Sequence, residues 1–160
     1  MTYWLAIQSR TNAELMFDRA IWGVPEIASV EFGEVKTGDK GVVFVGRQEG
    51  IDLSYKQGDL EGVGRYPAEI DGAFEVVSAV YRDDMKIFEP PPSNIRELYP
   101  LRVMLDGIRI FREPLEFLSL IPQLSFMVNK ELWEDHIKGK VLLEIPGDDY
   151  ELIMRKGCGK

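Results

Sequence analysis

The sequence is poor in the residues that build disulfides, metal centres and catalytic triads. Its 160 residues include one cysteine and one histidine. The cysteine, Cys158, has no second cysteine with which to form an intrachain disulfide, which favours a reducing, intracellular setting. A zinc site needs several Cys or His ligands, and no serine lies in a Gly-x-Ser-x-Gly motif. We therefore expect no metal, no other cofactor and no serine nucleophile.

Positive charge and long apolar runs are also scarce. The net charge of -8 and the pI of about 4.8 argue against a protein that coats nucleic acid through a broad basic surface. No apolar run approaches the roughly 18 residues that a membrane span requires, and residues 1–4 carry no basic segment of the kind that begins a signal peptide. These absences predict a cytoplasmic protein that does not associate with membranes.

The pattern of apolar residues predicts short strands around a few helices in one domain. Residues 3–8 are predicted as a strand, followed by a helix that is capped by Thr11 or Asn12 and stopped by Gly23 and Pro25. The continuous apolar run at 40–45 is typical of a buried strand. Further segments are predicted as follows: a strand at 73–81, one strand or a hairpin at 99–111, a helix at 114–121, a strand or helical turn at 140–145, and a helix from 147 to 155.

One aromatic residue stands in a position suited to a ligand. Trp22 lies at the exit of the predicted helix, beside Gly23 and Pro25, so its indole either fills the core or faces a pocket. In the second case Phe126 or Trp133 would close the other face of a planar ligand, and stacking a base on an aromatic ring contributes about 1–3 kcal/mol. Polar groups suited to reading the edge of that ligand are Ser9, Asn12, Asn129 and the backbone around Gly23 and Gly46.

Two arginines leave alternatives open. Arg47 follows the buried strand in a loop of small residues, where it either lies in a solvated turn or approaches a base or phosphate. Arg102 lies among apolar neighbours in a predicted strand, where it either forms a salt bridge at a sheet edge or contributes to a pocket.

Short motifs follow one another in a characteristic order along the chain. They are Tyr3-Trp4-Leu5, Trp22-Gly23-Val24-Pro25, Gly38-Asp39-Lys40, Tyr99-Pro100-x-Arg102-Val103, and Asn129-Lys130-x-x-Trp133 with Gly139-Lys140. Together they resemble the EVE domain family of the PUA-like superfamily, which is related to YTH domains. The resemblance implies an α+β fold, a PUA-like mixed β pseudo-barrel surrounded by short helices. It covers residues 1–156 as a single domain, with an insertion at about 50–70 and a loose tail at 157–160.

The resemblance also implies a function. EVE domains are thought to bind modified bases in DNA or RNA, and YTH domains hold a methylated adenine in an aromatic cage. In this sequence Trp22 matches the pocket tryptophan of the family, Ser9 and Asn12 match polar positions after the first strand, and 44–47 match a strand end that faces the pocket. Ala13 departs from the family, since relatives can carry an aromatic residue there.

These observations favour a binding module over an enzyme, with DNA or RNA containing a modified base, or a free nucleoside, as its partner. The candidate binding residues are Ser9, Asn12, Trp22, Gly23, Val24, Phe44, Val45, Gly46, Arg47, Arg102, Phe126, Asn129, Lys130 and Trp133. Two alternatives remain. The first is a small ASCH-like hydrolase of acylated nucleosides, with Lys130 and Glu131 or Glu134 as its reactive groups. The second is an interaction subunit with a vestigial pocket, which a packed Trp22 would indicate.

Overall fold

The computed structural model describes residues 1–46 and 68–158. Arg47 and most of the predicted insertion lie outside these residues, so the prediction of an insertion stays a prediction. The strands of the described part are β1 (Tyr3–Gln8), β2 (Ile21–Val24), β3 (Lys40–Val45), β4 (Glu69–Val76), β5 (Tyr81–Arg82), β6 (Leu101–Glu116) and β7 (Leu142–Ile145). The helices are α1 (Arg10–Arg19), α2 (Ser29–Phe32), α3 (Phe117–Leu120) and α4 (Gly147–Gly157), with short 3₁₀ turns at Glu26–Ala28, Ile121–Gln123 and Trp133–His136.

The described strands form one mixed sheet in the order β2-β6-β4-β3-β1-β7, and β5 pairs with the start of β6. Strands β1 and β3 are parallel, with Tyr3 opposite Lys40, and the other pairs are antiparallel. The sheet curls into a half-barrel with short helices around it. The predicted α+β class is therefore confirmed.

Two apolar clusters lie on opposite faces of the sheet. Successive side chains of a strand point to opposite faces, and in β1 Trp4 belongs to the first cluster whereas Leu5 belongs to the second. In β3, Val43 likewise lies in the first cluster and Phe44 in the second. Helix α1 packs on the first face, while α3 and α4 pack on the second. This division decides which aromatic residues can meet.

The predicted start and end of α1 are both wrong. Ser9, rather than Thr11 or Asn12, is the N-cap, because its hydroxyl accepts a hydrogen bond from the backbone N–H of Asn12. The helix ends at Arg19 since Ala20 adopts a left-handed conformation with φ 56°. The chain then turns directly into β2, where Trp22 pairs with Val103 of β6. Trp22 is thus a strand residue and does not lie at the exit of the helix, as the sequence predicts.

The strand predicted at 73–81 is divided, since β4 ends at Val76 and β5 covers only Tyr81–Arg82. The remaining predicted elements are confirmed in kind and shifted at their ends. The segment predicted as one strand or a hairpin is one strand, β6, which passes through Gly107 at φ 56° and continues to Glu116. The predicted helix at 114–121 is consequently shortened to α3. The segment at 140–145 is a strand, and α4 extends two residues beyond its predicted end to Gly157.

Candidate functional site

Trp22 lies in the core. Its side chain is 0% exposed and belongs to the first cluster. The ring meets Phe32 edge to face at 5.0 Å between centroids and Phe74 in a tilted arrangement at 5.2 Å. The indole is therefore packed against its neighbours and does not stand open to solvent at the mouth of a pocket, as the position beside Gly23 suggested.

The indole N–H of Trp22 is buried without a hydrogen-bond partner. The other buried tryptophan in the described part, Trp4, differs in this respect, because its indole N–H donates to the carboxylate of Asp39 at 2.9 Å. Leaving a buried donor unsatisfied costs about 1–3 kcal/mol. The core thus holds an unused hydrogen-bond donor on the residue that the family resemblance places in the pocket.

Phe126 and Trp133 lie on the other face of the sheet. Both pack against the second cluster, where Trp133 stands 5.4 Å from Phe117 and Phe117 meets Phe44 edge to face at 4.9 Å. The prediction that one of them closes a cage opposite Trp22 is wrong, because the sheet separates them. Sequence spacing carried no information about the face on which each ring would lie.

Asn12 is buried and joins α1 to a distant segment. Its side-chain amide donates to the carbonyl of Glu89 at 2.9 Å, and its side-chain oxygen accepts the N–H of Glu89 at 2.7 Å. These two hydrogen bonds have the pattern of neighbouring strands in a sheet. They engage both the amide nitrogen and the oxygen of the Asn12 side chain. In this conformation Asn12 binds the chain itself.

Glu89 belongs to a segment that we call the strap, residues 83–99, which connects β5 to β6. Arg102, 0% exposed, donates to three of its carbonyls: Nε to Tyr99 at 3.0 Å and Nη2 to Met85 and Leu98 at 2.6 and 3.0 Å. Its Nη1 lies 3.5 Å from a carboxylate oxygen of Asp83 without a well-formed hydrogen bond. Of the two alternatives for Arg102, the salt bridge is present, with Asp83 at the start of the strap. The same guanidinium anchors the strap through its carbonyls and does not face a pocket.

The strap touches β2 directly beside Trp22. A Cβ atom on Gly23 would lie 2.7 Å from a ring carbon of Phe88 and 2.9 Å from the carbonyl oxygen of Tyr99, so only glycine fits there. Phe88 is itself buried in the first cluster together with Trp22 and Val24. Two candidate residues, Gly23 and Val24, thus adjoin the strap, which covers this end of the strand.

Lys130 and Asn129 stabilise a turn on the second face. The ammonium of Lys130 donates to the carbonyls of Ile121, Leu124 and Met127 at 3.2, 2.9 and 2.9 Å. The backbone N–H of Asn129 donates to a ring nitrogen of His136 at 3.2 Å. An amine held by three carbonyls is not free to act as a base, so this geometry does not support the hydrolase alternative.

The remaining candidates divide between the two faces. Phe44 is buried in the second cluster and Val45 in the first. Gly46 follows them, and its N–H approaches the carbonyl of Gln8 at 3.4 Å, which brings the ends of the parallel strands β1 and β3 together. The candidate residues that share the first face or its edge are Ser9, Asn12, Trp22, Gly23, Val24 and Val45.

A buried carboxyl group on β4 escaped the sequence analysis. Asp71 is 7% exposed, and one of its oxygens pairs with the guanidinium of Arg10, which also pairs with Glu69. The other oxygen has no hydrogen-bond partner. Burial, assisted by Glu69, raises the pKa of Asp71 to about 7 against the opposing effect of Arg10. The only signal in the sequence was an aspartate beside apolar residues, at the end of the presumed insertion.

A shallow cleft of about 340 Å³ lies elsewhere, between the end of β6 and the end of α4. It is lined by Arg112, Glu113, Pro114, Leu115, Glu116, Ser119, Leu120, Lys156 and Gly157. None of the predicted binding residues lines it. Within residues 1–46 and 68–158, no group of three His, Cys, Asp or Glu side chains is placed to hold a metal ion.

The family of the chain follows from comparison with known proteins. The EVE domain model matches residues 2–156. The chain belongs to the EVE domain family. Two UPF0310 proteins are similar to it: one from Pyrococcus abyssi is 40% identical over 153 residues, and one from Pyrococcus horikoshii is 39% identical over the same length. Each match covers 96% of this chain and 97% of the relative.

Solved structures with the same fold as this EVE domain include a YTH domain and human THYN1. The Pho92 YTH domain in complex with m6A superposes with a TM-score of 0.61 at 14% identity, over 99% of this chain and 84% of that one. Human THYN1 in complex with DNA containing 5-methylcytosine gives 0.57 at 12% identity, over 100% and 99% of the two chains. The predicted PUA-like fold is confirmed. In the described part of the EVE domain, no helix is long and apolar enough to cross a membrane.

Proposed function

We propose that this chain is a nucleic-acid-binding module that takes up one modified nucleobase beside Trp22. The proposal is supported by membership of the EVE family and by the fold that the chain shares with the Pho92 YTH domain in complex with m6A and with human THYN1 in complex with DNA containing 5-methylcytosine. The observation that carries it within this chain is the unsatisfied N–H of Trp22, because a ligand acceptor that reaches this donor removes a penalty that the free protein bears.

The strap is the part of the chain that must move to admit a base. Its residues form neither helix nor strand, and its position is fixed by side chains of the body, Asn12 on one side and Arg102 on the other. Releasing the Asn12 side from Glu89 frees an amide. A side-chain amide offers one donor and one acceptor, the combination that matches the N6 and N7 atoms of adenine. The closed strap is thus the ligand-free state of the proposed site.

The charge of the protein suits a single pocket better than a groove. Extracting one base from a strand costs a few kcal/mol, and stacking together with edge hydrogen bonds must offset it. A protein with a net charge of -8 gains little from phosphate contacts, so its affinity depends on the base itself. We expect binding that falls only weakly with salt, in contrast to the steep dependence of proteins that neutralise many phosphates.

Titration of labelled oligonucleotides tests the proposal. Single strands containing one N6-methyladenine or one 5-methylcytosine are compared with unmodified strands and with the free nucleosides. Trp22→Phe keeps an aromatic ring and removes the N–H, and we expect it to weaken binding of the preferred strand at least several-fold. Trp133→Phe is the matched control, because Trp133 lies on the other face and its loss should leave affinity unchanged. Failure of every strand to bind, or equal affinity of the two variants, would contradict the proposal.

One observation favours a second function. Trp22 packs fully against Phe32 and Phe74, which is the arrangement expected of an interaction subunit with a vestigial pocket. The two functions predict different changes in the protein when a ligand is added. A pocket that opens changes the fluorescence of Trp22 and the hydrogen exchange of the strap when the preferred strand is added, whereas a vestigial pocket leaves both unchanged.

A further inference from the structure

Asp71 occupies a bulge in β4. In the register with β3, Phe44 is opposite Ile70 and Val43 is opposite Gly72, which leaves Asp71 without a partner between them. The pairing with β6 shifts at the same point. An extra residue of this kind redirects its side chain out of the regular alternation, and bulges are enriched next to functional sites. The bulge explains how a carboxyl group comes to be buried in a strand whose neighbours are apolar.

The surroundings of Asp71 leave one of its oxygens unused. Arg10 approaches from the first turn of α1 and binds the Oδ2 atom, and Glu69 approaches from β4. The side chain of Asp71 is only 9% exposed, and its Oδ1 atom has no partner. A buried acceptor without a donor is rare in native proteins and calls for an explanation.

Asp71 is tied to helix α1, which packs on the face of the sheet that carries Trp22. Its partner Arg10 begins α1, two residues before Asn12. A Cβ on the adjacent Gly72 would lie 2.9 Å from the ring of Phe17 of the same helix. Further along β4, Phe74 contacts Trp22, and three strand residues span about 10 Å. The unused donor of Trp22 and the unused acceptor of Asp71 are thus both linked to helix α1 and to strand β4.

We propose that Asp71 is a specificity-determining residue of the base site, and that its Oδ1 atom accepts a hydrogen bond from the amino group of the bound base. This inference rests on the proposed function and names its ligand class, bases that carry an exocyclic amino group. An ionised carboxylate only accepts hydrogen bonds. The amino groups of cytosine and adenine donate, whereas thymine presents a carbonyl oxygen at the corresponding position, which would face the carboxylate without a hydrogen bond.

The ionisation of Asp71 couples this recognition to pH. Its pKa is raised to about 7, so the carboxyl group becomes a full acceptor only above neutrality. Among the described residues, the charged groups that face it are Arg10 from α1 and Glu69 from β4. Affinity for an amino-bearing base should accordingly fall as the pH decreases through 7, by up to tenfold per pH unit.

Two strands that differ in one base provide the test. One strand contains 5-methylcytosine and the other contains thymine at the same position, so both carry the methyl group. The bases differ at position 4, where the amino group is exchanged for a carbonyl, and at N3, which carries a hydrogen only in thymine. We expect the wild-type protein to prefer the 5-methylcytosine strand at least tenfold at pH 8 and to lose this preference at pH 6. Asp71→Asn keeps the shape of the side chain and can offer an N–H, so its preference should vanish or reverse. Glu69→Gln is the control at pH 8, because it keeps the Asp71 acceptor and should keep the preference there. Since Glu69 helps to raise the pKa of Asp71, this variant should also retain more of the preference at pH 6.

The outcomes separate the two proposals. Binding that depends on Trp22 but shows the same preference in Asp71→Asn overturns the role of Asp71 alone. Absence of binding to any strand overturns the proposed function as well. If Asp71→Asn fails to fold, the pH profile of the wild-type preference decides the matter, since a preference that is independent of pH between 6 and 8 overturns the inference.

Discussion

Asn12 holds Glu89 by two hydrogen bonds, one given and one received, across a separation of 77 residues. The pair fastens the strap to the start of α1, while Arg102 fastens its two ends to β6. Under the proposed function, the side chain that the family resemblance assigns to the pocket keeps that pocket closed until a ligand binds. Opening would then exchange these hydrogen bonds for hydrogen bonds to the ligand, which would keep the net change in free energy small.

Replacement of Asn12 by alanine should loosen the strap. The backbone N–H and carbonyl of Glu89 would lose their partners, and a lost buried hydrogen-bond partner costs about 1–3 kcal/mol. We expect a lower free energy of unfolding in denaturant titrations and faster hydrogen exchange at the Glu89 amide. Asn94→Ala, which alters an exposed turn of the strap, should change neither quantity by more than about 0.5 kcal/mol. Equal effects of the two replacements would show that Asn12 does not hold the strap.

Gly23→Ala should destabilise the protein through a steric clash. The new Cβ would meet Phe88 and the carbonyl of Tyr99 at 2.7 and 2.9 Å, and overpacking of this kind costs about 1–3 kcal/mol. Combination with Phe88→Ala removes one of the two contacts. The loss in the double variant should therefore be smaller than the sum of the two single losses, as thermal unfolding can determine. Strict additivity would mean that the strap does not lie against β2 in solution.

The two buried tryptophans should respond differently to replacement by phenylalanine. Trp4→Phe breaks the hydrogen bond to Asp39, whereas Trp22→Phe removes an N–H that has no partner. Both replacements leave gaps of comparable size in the first cluster. The difference between their losses in free energy of unfolding therefore measures the contribution of the Trp4–Asp39 hydrogen bond. We expect Trp4→Phe to cost roughly 1 kcal/mol more free energy of unfolding than Trp22→Phe. A larger loss for Trp22→Phe would indicate an acceptor for its N–H in the free protein.

The buried carboxyl group of Asp71 should make the stability of the protein depend on pH. Relative to Asp71→Asn, the wild-type protein should have a larger free energy of unfolding in mild acid than above pH 7. Because the folded-state pKa of about 7 lies above the usual aspartate value of 3.8, the native state retains a proton that the unfolded state releases between these pH values. This contribution to stability therefore decreases as the pH rises from about 4 to 7, and it is constant above 7. The difference in free energy of unfolding between wild type and Asp71→Asn, measured from pH 4 to pH 8, should follow this curve. A difference independent of pH would refute the raised pKa.

Local patterns were sufficient to predict the strands that form the centre of the sheet. β1 and β3 are continuous apolar runs, and their composition alone decides their conformation. The strand that carries Trp22 was missed because α1 ends at Ala20 in a left-handed conformation. Alanine seldom adopts this conformation, so nothing in the local sequence indicated an end before Gly23. Long-range pairing with β6 decided the conformation instead.

The candidate site was only partly predictable for a related reason. Sequence order cannot tell on which face of a sheet two distant aromatic residues lie, so Trp22 and Trp133 were assigned to one cage although the sheet separates them. Asn12 and Arg102 were recognised as unusual polar residues, yet their partners are backbone groups of the strap, which carry no side-chain signal. Asp71 was missed because its burial results from a bulge that only the strand register reveals.

The pairing of β2 with β6 has a consequence for biosynthesis. Trp22 leaves the ribosome early, but the strand that hydrogen-bonds to its own begins only at Leu101. Until that later strand has been translated, the indole has no completed sheet to shield it, and nascent chains stalled before this point present an apolar edge to chaperones or to one another.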